Sequence, residues 1–178
     1  MSYQQDLERS ENAFWTYCAE PLDKFFEARQ IIPMSQKENK IAVCLDRNGV
    51  DFIINSDRYG LIPIQFKCSF GKPYRNFVIR RSRTSGAMTD FDKLTRAKRF
   101  GTIQPLFHCA CFVDNDGDAD IALAATDDLM KFVDNNLADI RAHENGTFLT
   151  CDWRRLEVHG VKVFRLDCRA DFQKEENA

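Results

Sequence analysis

Between Gly49 and Lys67 the chain reads GVDFIINSDRYGLIPIQFK, two short apolar runs parted by the turn-rich NSDRYG. Asp51 opens the first run and Gln65-Phe66-Lys67 closes the second. Strand residues alternate faces. Gln65 and Lys67 therefore share one face, Ile64 and Phe66 the other, and Asp51 lies on the face of Ile53, opposite Val50, Phe52 and Ile54. A hairpin brings Asp51 beside Gln65 and Lys67. A carboxylate, an amide oxygen and an ammonium at one point can hold a divalent cation and activate water against a phosphodiester.

Asp51 followed by Gln65-Phe66-Lys67 resembles the PD-(D/E)xK nuclease superfamily, whose fold is restriction-endonuclease-like. The resemblance spans about residues 38–83. Val50 stands where that family often has proline, and Gln65 where it usually has an acid, a variant known among restriction and homing enzymes. The resemblance implies a mixed central β-sheet flanked by helices, an α/β fold. It implies that Asp51, Gln65 and Lys67 are catalytic, with Mg²⁺ (or Mn²⁺) held by Asp51, the Gln65 side-chain oxygen and the Phe66 backbone carbonyl. Mg²⁺ prefers oxygen ligands and keeps several waters, so few protein groups suffice. Lys67 would activate the attacking water or stabilise the charged transition state, its compact charge carried on a long stem. A single carboxylate holds Mg²⁺ weakly, so a second acid is expected. Asp46, in LDRNGVD, and Glu27, on the preceding helical segment, are the leading candidates, with Glu20 and Glu38 behind them.

Charge is unevenly spread. The chain carries a net −2, yet residues 67–99 hold ten Lys or Arg against Asp90 and Asp92, so that segment is +8 and the remainder −10. A basic block directly downstream of the Gln-x-Lys suits a phosphate-tracking surface. Lys72, Arg75, Arg80, Arg81 and Arg83 are its expected nucleic-acid contacts, and DNA the expected partner. In isolation such a run is a solvated basic face.

The 178 residues suit a single domain spanning 1–178, with a nuclease-like core at about 35–140 and a frayed charged tail at 172–178. The apolar fraction, 44% with 15 Phe, suffices for a core. No apolar run approaches the ~20 residues of a membrane helix, and the polar, acidic N-terminus lacks a signal-peptide pattern. Seven scattered cysteines fit a reduced, cytoplasmic protein.

The elements that must position the site follow from spacing. Ser10 caps an opening helix carrying Phe14, Cys18, Leu22, Phe25 and Phe26, interrupted by Pro21. Ser35 and Glu38 have capping-box spacing before KIAVCLD, which reads as helix or strand. Strands fall near 50–55 and 61–68, and Pro63 places the regular part of the second from Ile64 onward. FVIRRS is a third strand, Thr89-Asp90 opens a basic helix to about Arg99, and TIQPLFHCACFV and ADIALAAT are strands joined by a turn at 114–118. Thr126 caps a helix with Leu129, Val133, Leu137 and Ile140 on one face. Two short strands follow near Phe148 and Val161.

Other constellations carry less. Cys109 and Cys111 share a strand face from which His108 points away, a poor zinc geometry. DNDGD at 114–118 has Ala119 and Ala125 where a calcium loop needs Gly and Glu, and reads as a hairpin turn. No Gly-rich phosphate loop is present. His108, His143 and His159 lack a hydrolase context, and Trp15 and Trp153 read as packing residues. The leading expectation is a metal-dependent DNA endonuclease of homing, restriction or junction-resolving type, acting as a homo-oligomer. The alternatives are a binding module on the same fold that has lost catalysis, and a non-enzymatic phage or mobile-element interaction protein.

Overall fold

The computed structural model describes residues 3–35, 39–71, 75–136, 142–143 and 148–167. Its centre is a mixed six-stranded sheet in the order β1-β2-β3-β5-β6-β9. The strands are β1 (Ala28–Pro33), β2 (Phe52–Ser56), β3 (Gly60–Phe70), β5 (Phe107–Val113), β6 (Ala119–Ala125) and β9 (Val163–Leu166). All neighbours are antiparallel except β3 and β5, which run parallel with Gln65 opposite His108 and Lys67 opposite Ala110. A parallel pair needs a crossover. It is made by β4 (Asn76–Arg80), an exposed loop and the helix α4 (Asp90–Phe100). A second sheet, β4-β8-β7, uses β8 (Phe148–Asp152) and β7 (Ala142–His143).

Helices cover both faces of the large sheet. On one face lie α1 (Tyr3–Ala13), a π-helical turn (Phe14–Cys18) and α2 (Ala19–Phe26). Pro21 falls in the first turn of α2, just after the π-helical turn passes into α-helix, and the helical path continues through it. Phe14, Leu22 and Phe26 there pack on Phe52, Ile54, Ile64 and Phe66. Phe14 stacks on Phe52 at 3.5 Å and meets Phe66 edge-on at 5.1 Å, fixing β2 and β3 at the level where Asp51 and Lys67 emerge. On the other face, α4, α5 (Thr126–Asn136), α6 (Trp153–Val158) and the small sheet share a core of Phe77, Ile79, Leu94, Leu129, Leu149 and Trp153. No helix among the described residues is long and apolar enough to cross a membrane.

Several sequence expectations shift. The large sheet takes in β1 and β9, so it extends beyond residues 35–140 at both ends. The 40–47 segment is a helix, α3 (Lys40–Arg47), capped by Asn39, whose side chain accepts the N–H groups of Ile41 and Ala42; of the expected Ser35–Glu38 pair, Glu38 lies outside the described residues. Regular structure in β3 starts at Gly60, ahead of Pro63. Pro63 is accommodated opposite Ile53 while its carbonyl accepts the Leu106 N–H at 2.7 Å. The β2–β3 turn is closed by Ser56, whose hydroxyl accepts the N–H groups of Arg58 and Tyr59, and by Gly60 in the left-handed region. Asp114 forms a hairpin turn, its Oδ1 accepting the N–H groups of Asp116 and Asp118. Leu137, Ile140, Lys72 and the 172–178 tail lie outside the described residues.

Candidate active site

Asp51 sits where the β2–β3 ladder ends, clamped on three sides. Its N–H donates to the Ile64 carbonyl, its carbonyl accepts the Met34 N–H, and its Oδ2 accepts the Phe66 N–H at 2.7 Å. Val50 just before it is fully buried and donates its N–H to the Leu45 carbonyl, a bond a proline there could not make. N–H and C=O of one strand residue point to the same edge. The Phe66 carbonyl therefore faces the side on which Asp51 stands, past the end of β2.

Gln65 and Lys67 project from the opposite face of β3 to Phe66. Gln65 is 3% exposed and lies against Gly49: a Cβ on that glycine would come within 3.7 Å of the Gln65 amide nitrogen and of the Lys93 stem. Gly49 has φ +85°, so the turn into Asp51 needs glycine for its backbone as well. Lys67 keeps 40% of its side chain exposed and forms the solvent side of the site. Its Nζ lies 3.2 Å from Asp90 Oδ2, on the first turn of α4, and the same oxygen accepts the Arg80 N–H at 3.3 Å.

The electrostatics bind these groups together. Burial raises the Asp51 carboxyl; the Lys67 ammonium and the Phe66 N–H oppose this, Asp46 and Asp90 add to it, and the result is about 6 against an ordinary 3.8. For Asp90, burial again raises the carboxyl. Lys67, the Arg80 N–H and Lys93 outweigh it, so Asp90 ionises below the usual carboxylate value. His108, buried on β5 opposite Gln65, is lowered to about 4 by burial and is neutral near pH 7. Its Nε2 has no hydrogen-bond partner among the described residues.

The other expected residues divide. Asp46 is close enough to Asp51 to raise its pKa, and its carbonyl accepts from Lys93 Nζ at 3.4 Å. Glu27 does not reach the site. It ends α2 in a left-handed conformation (φ 51°), and its carboxylate holds Arg58 at 2.9 Å on an exposed surface. Arg75 is committed to Asp120 through Nε at 2.8 Å. Arg80 lies over the Phe148 ring while its N–H serves Asp90. Arg81 and Arg83 are exposed on the loop between β4 and α4 and make no ion pair with any described residue. By spacing alone Asp90 marks only the opening of a helix. The usable signal was two acids after Thr89, of which only Asp92 sits at the capping-box position.

Among the described residues no three His, Cys, Asp or Glu side chains gather as a metal site. The local donor set is nonetheless of the hard-oxygen kind: the Asp51 carboxylate, the Phe66 carbonyl on the same edge, and the Gln65 amide. That suits Mg²⁺ or Mn²⁺, which need only one or two carboxylates alongside water. Comparison of the chain with family models, curated proteins and solved structures returns no match.

Proposed function

We propose that the chain is a divalent-metal-dependent endonuclease acting on DNA, with a restriction-endonuclease-like core. The observation that carries this reading is an acid and a lysine on one sheet face, near enough for the lysine charge to act on the acid. Asp51 is locked by the Phe66 N–H at 2.7 Å, and Lys67 emerges on the next residue, paired with the buried Asp90. A carboxylate with a pKa near 6 is poorly solvated, and a cation is the partner that would relieve it.

On this reading Asp51, the Phe66 carbonyl and the Gln65 amide hold Mg²⁺ or Mn²⁺, with Asp46 the nearby second acid. The bound cation would supply Lewis-acid relief of the phosphate charge and a more acidic water. Lys67 offers positive charge to the phosphate oxygens as the water gives up a proton to solvent, its oxygen bonds to phosphorus and one P–O ester bond breaks, the leaving oxygen taking a proton from solvent. On this reading Arg81 and Arg83, on the exposed loop that follows Arg80, meet the DNA backbone. Cutting both strands takes two such sites, which a homo-oligomer provides.

The burial of Gln65, where the family has an acid, favours a second reading: a DNA-binding module on this fold without turnover. Supercoiled plasmid with Mg²⁺ or Mn²⁺ separates the two. Nicking that stops in EDTA and in Lys67→Ala supports the enzyme. Salt-sensitive gel shifts with intact plasmid support the module.

A further inference from the structure

We infer that Asp90 is the positioning residue for Lys67, an inference that rests on the nuclease reading for its catalytic consequence but not for its geometry. The N-terminus of α4 has no need of Asp90. Thr89 and Asp92 already form a reciprocal cap: Thr89 Oγ1 accepts the Asp92 N–H, and Asp92 Oδ2 accepts the Thr89 N–H and hydroxyl. A first-turn acid that caps the helix and complements its dipole can stay exposed, as Asp92 does. Asp90 instead is 3% exposed, and burying a carboxylate is costly unless it is paired.

Its two partners explain the burial. The Arg80 N–H at 3.3 Å fixes the carboxylate, and the Lys67 ammonium at 3.2 Å is held by it in turn. A lysine on an exposed strand position samples many rotamers. Here a buried anion selects the rotamers that keep Nζ near Asp51, whose pKa feels both charges. Arg80 also begins the basic loop carrying Arg81 and Arg83, so one carboxylate joins the loop's root to the lysine.

The test compares wild type, Asp90→Asn and Asp90→Glu. Brief acetylation with an amine-reactive ester, read peptide by peptide by mass spectrometry, reports how firmly Lys67 is held. Asp90→Asn is expected to speed labelling of Lys67 about fivefold with Lys131 and Lys162 unchanged, and Asp90→Glu to fall between. In plasmid cleavage, Asp90→Asn is expected to lower kcat about tenfold or more at unchanged KM, with partial rescue by Asp90→Glu. Equal Lys67 labelling in wild type and Asp90→Asn overturns the inference, as does faster labelling with unchanged kcat. Should Asp90→Asn fail to fold, Asp90→Glu carries the test alone: faster labelling and lower kcat with wild-type circular dichroism support it, wild-type values in both overturn it. A wild-type chain that cuts nothing refutes the nuclease reading and the catalytic role with it, while labelling still decides whether Asp90 holds Lys67.

Discussion

Replacing Asp51 by Asn should stabilise the metal-free protein while removing the proposed cleavage activity. The Asp51 carboxyl ionises near pH 6 in the folded chain and near 3.8 when exposed. The folded state therefore binds the extra proton between those values, and its stability is fullest below about pH 4 and falls as pH rises through 6. At about 1.4 kcal/mol per pKa unit the loss amounts to roughly 3 kcal/mol above pH 6. Asn removes that penalty but accepts the Phe66 N–H through a neutral oxygen, which returns about 1 kcal/mol. The expected net gain at about pH 8 is 1–2 kcal/mol, vanishing at pH 4. His108 adds a second signature. Its folded value near 4 lies below the ordinary 6.5, so its contribution is present above pH 6.5 and lost as pH falls towards 4. The two slopes oppose each other between pH 4 and 6 in the wild type, and Asp51→Asn should uncover the acid-labile one. Urea unfolding followed by tryptophan fluorescence across pH 4–8, without divalent ions, measures both effects. A variant less stable than wild type at pH 8, or with an unchanged pH slope, refutes the reasoning.

Three further outcomes follow from the same geometry. Arg81→Ala and Arg83→Ala should each weaken DNA binding and reduce the slope of log affinity against log salt by about 1, measured by fluorescence anisotropy. Arg75→Ala should leave that slope nearly unchanged, because its guanidinium is committed to Asp120. Glu27→Gln should leave cleavage at the wild-type rate and change stability by less than about 1 kcal/mol in urea unfolding, because its partner Arg58 is exposed.

The parts of the site that sequence could reach are those set by period-two alternation and short turns. Asp51, Gln65 and Lys67 share a face because three residues between Ser56 and Gly60 fix the hairpin register. Thr89 announced α4 because a capping box is local. Asp90 escaped because its meeting with Lys67 depends on where the loop after Arg80 returns, a tertiary matter. Glu27 looked plausible on helical spacing, but a left-handed turn at its own backbone sends its carboxylate to Arg58. The basic count of residues 67–99 exceeds the free surface: Arg75 and Lys98 are committed to Asp120 and Asp134, and Lys67 is paired with Asp90. The short helix α6 is illegible in the sequence, since six residues carry too little periodicity. Pro63 breaks the strand less than its missing N–H suggests, because its carbonyl still serves the Leu106 N–H.

The most direct measurement is single-turnover cleavage of an end-labelled DNA duplex in Mg²⁺, with wild type, Asp51→Asn and Lys67→Ala side by side. The account predicts cleavage by the wild type that EDTA abolishes, and losses of about 10²-fold or more in each variant at undiminished DNA affinity. Wild-type rates in both variants, or no cleavage in any divalent ion by a chain that binds the duplex, would contradict it.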